Sequence, residues 1–127
     1  MSDKNVLVVD DEEVIRDVCT QILEAEGYAV TTACNGREAL HHVSEKQFDV
    51  VVTDIMMPDM SGLELLDVIK STSLDVCSVV ITGLGTFDMA TQSDRLGARE
   101  FVVKPFTPDE LSSAVGKALT KQEPKTG

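Results

Sequence analysis

Two kinds of segment alternate along this chain. The first is short, β-branched and apolar almost throughout: Val6-Leu7-Val8-Val9, the run from Tyr28 to Thr32, Asp49-Val50-Val51-Val52-Thr53, Cys77-Ser78-Val79-Val80-Ile81 and Phe101-Val102-Val103. Continuous rather than alternating apolar runs indicate strands covered on both faces, as in a parallel sheet. The second kind has helical spacing. Over 12–26 the apolar positions are Val14, Ile15, Val18, Cys19, Ile22 and Leu23, and Gly27 supplies a stop. Over 36–46 they are Ala39, Leu40 and Val43, behind a cap at Asn35 with Glu38 three residues on. Over 62–71 the stripe is Leu63, Leu66 and Ile69, and over 86–96 Phe87, Ala90 and Leu96 mark a weaker helix. Over 108–120 Leu111, Ala114, Val115, Ala118 and Leu119 follow a well-signalled start: Thr107 caps, Pro108 takes the first turn and Glu110 lies three residues after Thr107.

Five strand-helix units joined by right-handed crossovers predict an α/β fold. It is a doubly wound five-stranded parallel sheet, order 2-1-3-4-5, with five helices shared between its two faces. The length of 127 residues fits one domain over 1–119, with 120–127 a polar tail or the start of a linker.

A composition of 43% hydrophobic and 26% charged residues excludes general disorder. No apolar run reaches the roughly 18 residues of a membrane span, and Met1-Ser2-Asp3-Lys4 does not open a signal peptide. Charge changes the picture more. Eleven Lys and Arg against 22 Asp and Glu leave a net charge of −11, which opposes contact with nucleic acid or an anionic membrane. Part of that excess can instead be a local cation site. Cys19, Cys34 and Cys77 show no metal-ligand spacing with His41 or His42. They read as reduced thiols of the core or near-surface, suited to the cytoplasm.

In open α/β sheets a site forms at the carboxyl ends of the strands, near the reversal of strand order. Strand 1 ends in Asp10-Asp11-Glu12, strand 3 in Asp54, strand 4 in Thr82-Gly83 and strand 5 in Lys104-Pro105. Any one of these alone is an ordinary turn or capping residue. Together they fall at one end of one sheet, with three carboxylates converging from neighbouring strands. Such crowding holds a proton on one group unless a cation relieves it, and a hard divalent ion with oxygen ligands does so. Lys104 adds an ammonium and Thr82 a hydroxyl, which makes a phosphoryl-handling site with Asp54 as nucleophile.

The set Val-Val-Asp10-Asp11-Glu, Val-Val-Thr-Asp54-Ile-Met-Met-Pro58-Asp-Met-Ser-Gly62, Ile-Thr82-Gly83 and Gly97-Ala98-Arg-Glu-Phe101-Val-Val-Lys104-Pro105-Phe106 resembles the receiver domain of two-component response regulators, over about residues 4–119. The resemblance implies a flavodoxin-like fold, as in chemotaxis-type regulators, and a signalling switch rather than an enzyme, although one that catalyses its own phosphorylation and dephosphorylation. Asp54 resembles the acceptor of a phosphoryl group from a sensor histidine kinase or phosphotransfer protein. Asp11, Asp54 and the main-chain carbonyl of Met56 would hold Mg²⁺ or Mn²⁺ directly, and Asp10 through water. Lys104 would contact the phosphoryl oxygens, Thr82 would swing its hydroxyl onto them, and Phe101 looks like the aromatic that turns inward in response. Pro105 resembles the family's cis-proline. The output face would comprise the helix at 86–96, the fifth strand and the last helix, engaging an output domain, a target protein or a second copy on phosphorylation. Met56 and Leu84, two residues after Asp54 and Thr82, are apolar where chemotaxis-type members are polar. Either they fail to orient hydrolytic water, so that the phosphoryl group is lost slowly, or they serve packing.

Rival phosphate-handling readings fit less well. A haloacid-dehalogenase-type phosphatase needs an acid at Met56, and a flavin binder needs a hydroxyl-rich loop where Asp10-Asp11-Glu12 would repel phosphate. Gly83-Leu84-Gly85 lacks the third glycine of a dinucleotide loop, and Gly116-Lys117-Ala118 is not a P-loop. A degenerate receiver acting only as a binding surface is the non-enzymatic rival, and Thr82 to Thr86 bears a mild likeness to nitrogen-regulation-type activators.

Overall fold

The computed structural model describes residues 4–72, 76–83 and 98–121. Five parallel strands, β1 (Asn5–Val9), β2 (Ala29–Ala33), β3 (Val50–Asp54), β4 (Cys77–Thr82) and β5 (Ala98–Val103), pair in the order β2-β1-β3-β4-β5. Four helices are described: α1 (Glu13–Ala25), α2 (Gly36–Glu45), α3 (Gly62–Thr72) and α4 (Pro108–Lys121). The expected helix at 86–96 lies outside the described residues, as do Leu84 and most of the polar tail.

The strands are apolar on both faces because both are covered. Side chains alternate along a strand, so odd and even positions feed separate cores. Val6, Val8, Val50, Val52, Val79 and Ile81 pack with Cys19 and Leu23 of α1 and with Leu111, Val115 and Ala118 of α4. Leu7, Val9 and Val51 face the other way, onto Ala39 of α2 and Leu65 and Ile69 of α3. A smaller cluster of Ile55, Leu66, Val80 and Ala98 carries Phe101 half-buried at its margin. Burial of Cys19 lifts its thiol to about 12, so it behaves as a core hydrophobe.

Local signals fix the helix starts. Glu110 N–H donates to Thr107 Oγ1 at 3.1 Å while Thr107 N–H donates to Glu110 Oε1 at 2.8 Å, which closes the expected capping box. Glu38 N–H donates to Asn35 Oδ1 at 2.7 Å as expected, but Glu38 Oε1 accepts from Cys34 N–H rather than Asn35 N–H. Ser61 and Glu64 form a further reciprocal box before α3. Gly27, at φ 95°, turns the chain out of α1 where a side chain would be strained.

β5 begins at Ala98, three residues before the apolar run that marked it. Its early part is polar because it lies at the sheet edge, and the pairing passes from Ser78↔Ala98 to Val79↔Glu100, leaving Arg99 as an extra residue. At the other end of the sheet Gly62 presses against the end of β3. Its N–H donates to the Ile55 carbonyl at 2.8 Å, and a Cβ there would overlap the main-chain carbonyl of Asp54. Gly116, inside α4, has open space where its Cβ would be.

Two alanine substitutions therefore have opposite expected outcomes in urea denaturation. Gly62→Ala forces backbone against backbone and should cost about 2 kcal/mol or more. Gly116→Ala meets nothing and should gain roughly 0.5–1 kcal/mol from helix propensity.

Candidate functional site

The carboxyl ends of β1 and β3 lie side by side, since Val9 pairs with Thr53. Asp10 follows Val9 and Asp54 closes β3, so register alone sets these two acids together. Asp10 is fully buried and is held on three sides. Its N–H donates to the Ala33 carbonyl at 3.1 Å, its Oδ1 accepts from Glu12 N–H at 2.9 Å, and its own carbonyl accepts from Arg16 Nη1 at 2.8 Å. Asp54 is also buried, with Oδ1 3.3 Å from the Met56 N–H. The Thr53 hydroxyl donates to the Asp54 carbonyl at 2.9 Å, which satisfies a buried acceptor.

Lys104 enters from the far side of the sheet. Its N–H donates to the Thr82 carbonyl at 2.8 Å, which anchors the residue beside the end of β4. Asp54 lies two strands from β5, about 10 Å at ordinary strand spacing. The four-carbon arm crosses that gap. Lys104 Nζ lies 2.9 Å from Asp54 Oδ2, 3.1 Å from Asp10 Oδ2 and 3.2 Å from Glu12 Oε1. The Lys104-Pro105 peptide bond is cis.

Burial works against the ammonium, but the hydrogen bond to Asp54 and the charges of Asp10 and Asp54 outweigh it and lift the Lys104 pKa above its ordinary 10.5. The Asp10 pKa is also raised, which there favours the uncharged form. Burial raises its carboxyl above 3.8, with the Asp54 charge adding to the effect, against the Glu12 N–H and Lys104. Its Oδ2 is near enough to Lys104 for charge attraction but out of line for a hydrogen bond. That leaves a buried carboxylate oxygen with no hydrogen-bond partner.

The tight acidic cluster consists of Asp10, Glu12 and Asp54, whose carboxylate oxygens lie within 4.8 Å of one another. The expected Asp10, Asp54 and Lys104 are thus brought together. Asp11 is exposed and stands outside that cluster. Glu12 takes the third place; its only signal in the sequence was a third consecutive acid. Thr82 is fully buried, one residue beyond the Ile81 that pairs with Asp54. Phe101 lies lower on β5, paired with Val80. The Met56 side chain is 57% exposed on the loop after β3. A buried oxygen in need of a partner, among crowded carboxylates, is the donor set that a hard divalent cation fits.

Comparison with known proteins gives a consistent result. The profile of the response regulator receiver domain matches residues 6–116. Response regulator SaeR of Staphylococcus aureus is 36% identical over 119 residues, which are 94% of this chain and 52% of that protein. The chain therefore spans about half the length of the curated relatives it matches. A CheY-like receiver domain from Methanospirillum hungatei superposes with a TM-score of 0.89 at 33% identity, covering 95% of this chain and 97% of that one. Response regulator TrrA of Thermotoga maritima, solved in complex with Mg²⁺ and BeF, gives 0.83 at 40% identity, covering 91% and 99%.

The raised carboxyl of Asp10 has a consequence for stability. In the unfolded chain it titrates near 3.8, and in the native protein higher. Between those values the native state binds more protons, so stability from this group falls as pH rises, and the ionised carboxylate weighs against the fold at neutral pH. Asp10→Asn should therefore be more stable than wild type in urea denaturation at neutral pH without divalent ions. The gain should shrink as pH is lowered toward about 4.

Proposed function

The chain belongs to the response regulator receiver domain family, and from that premise we propose that it takes a phosphoryl group onto Asp54 from the phosphohistidine of a sensor histidine kinase or phosphotransfer protein. The observation that carries this reading is the Asp54 carboxylate, buried at the end of β3 with one oxygen on the Lys104 ammonium. A carboxylate oxygen of Asp54 forms the new O–P bond as the P–N bond to the donor histidine breaks. The electron pair stays on the imidazole nitrogen, which takes up a proton. Such a transfer needs positioning and charge neutralisation more than covalent assistance.

Lys104 is already within reach of the incoming phosphoryl oxygens through its contact with Asp54. A divalent cation, Mg²⁺ or Mn²⁺, would be held by Asp11, Asp54 and the main-chain carbonyl of Met56, and by Asp10 through water. It would supply charge neutralisation at the phosphoryl group. The unpartnered Asp10 oxygen and the Mg²⁺ in the TrrA structure support this assignment.

The phosphorylated Asp54 would carry about −1.5 to −2 charge in place of the carboxylate's single charge, with three strong acceptors. Thr82, buried at the end of β4, turns its hydroxyl to one of them. Phe101 then turns inward against Ile55, Leu66, Val80 and Ala98, and Pro105 keeps Lys104 aimed. The altered surface comprises residues 86–96, β5 and α4, and it engages an output domain, a target protein or a second copy. The full-length relatives, about twice as long, favour a further domain. The setting is the cytoplasm, and the chain works as a switch rather than a turnover enzyme.

Incubation with acetyl phosphate and Mg²⁺ should give a one-phosphate gain in intact mass. The gain should vanish in Asp54→Asn and on chelation; no gain in wild type would leave a receiver that serves only as a binding surface. The apolar Met56 and Leu84 are assigned to slow loss of the phosphoryl group. Replacing both, with Met56→Asn and Leu84→Glu together, should shorten the lifetime of the phosphoprotein in a chase without donor, and an unchanged lifetime would assign them to packing instead.

A further inference from the structure

Glu12 stands immediately before α1, where a side chain ordinarily caps the first turn, yet it makes no capping hydrogen bond. Its carboxylate reaches instead to Lys104 Nζ at 3.2 Å. The three carboxylates around that ammonium are not equivalent. Asp10 and Asp54 are buried and fixed by the ends of two central strands, whereas the Glu12 side chain is 63% exposed at the rim. Lys104 itself retains a long arm whose side chain is 15% exposed.

A divalent cation held directly by Asp54, and by Asp10 through water, competes with the Lys104 ammonium for the charge of those two carboxylates. Two cations cannot share them without strong repulsion. The ammonium must therefore yield some ground, and among the described residues the exposed carboxylate already in contact with it is that of Glu12. We propose that Glu12 is a positioning residue that receives the Lys104 ammonium when a divalent cation occupies the acidic site beside Asp54, keeping it within reach of the phosphoryl group to come. The proposal rests on the cation reading given above. It assigns Glu12 a role toward Lys104 and not toward the ion.

Calorimetric titration with Mg²⁺ alone tests it on four proteins: wild type, Glu12→Gln, Lys104→Met and the double variant, each first shown to unfold cooperatively. Glu12→Gln should weaken Mg²⁺ binding about fivefold, the size an exposed ion pair can supply. Lys104→Met should tighten it by removing the competing cation. In the Lys104→Met background Glu12→Gln should then cost less than twofold, because there is no ammonium left to receive. An equal or larger loss in that background would make Glu12 a ligand or a remote charge, and no loss in the wild-type background would also overturn the proposal. Failure of wild type to bind Mg²⁺ is a separate result, which removes the cation reading and this inference with it.

Discussion

The ammonium of Lys104, set among the carboxylates of Asp10, Glu12 and Asp54, is the contact on which the site depends. Two buried carboxylates side by side would be costly if nothing opposed them. Lys104 makes the arrangement tenable, but incompletely, since one Asp10 oxygen has charge attraction without a hydrogen bond. The protein thus folds around a site whose charges are only partly satisfied. That residual deficit is what the proposed divalent cation would relieve.

The sheet makes such a cluster possible by separating what must stay still from what can move. β1 and β3 are central strands, fully buried over most of their length and clamped by cores on both faces, so Asp10 and Asp54 are placed rigidly. The close approach of Gly62 to the Asp54 carbonyl fixes the loop after β3 as well. Lys104 and Phe101 belong to the edge strand or its exit, where the described residues are less buried and the pairing is interrupted at Arg99. On the proposed function, a change at Asp54 would meet a stiff frame in β1 and β3 and pass more readily toward β5.

Much of this was legible in the residues. Apolar runs gave the five strands, and the strand ends, aligned by parallel order, placed Asp10, Asp54 and Lys104 together before any coordinates. The capping box at Thr107 and Glu110 reads directly from a spacing. Ser61 and Glu64 carry the same spacing and close the same box before α3. The place of Glu12 was not legible, because it depends on a flexible side chain declining its local cap for a partner 92 positions away. Asp11 was expected at the centre by family likeness. It lies in the bend after β1 and is exposed, outside the cluster of Asp10, Glu12 and Asp54. The polar start of β5 escaped detection because edge strands need not be apolar.

A carboxylate that accepts a phosphoryl group changes from a single negative charge to roughly two, at a fixed point. In the unmodified protein the Lys104 ammonium is divided among three acids, and none of them holds it outright. Such a shared contact is easily redistributed, because moving toward one partner costs only part of the attraction to the others. Had Lys104 formed one fully satisfied pair with Asp54, it would have had to break before chemistry and reform after it. Division among several acids leaves the ammonium able to shift among them, at the cost of a native state that leaves buried charge imperfectly matched.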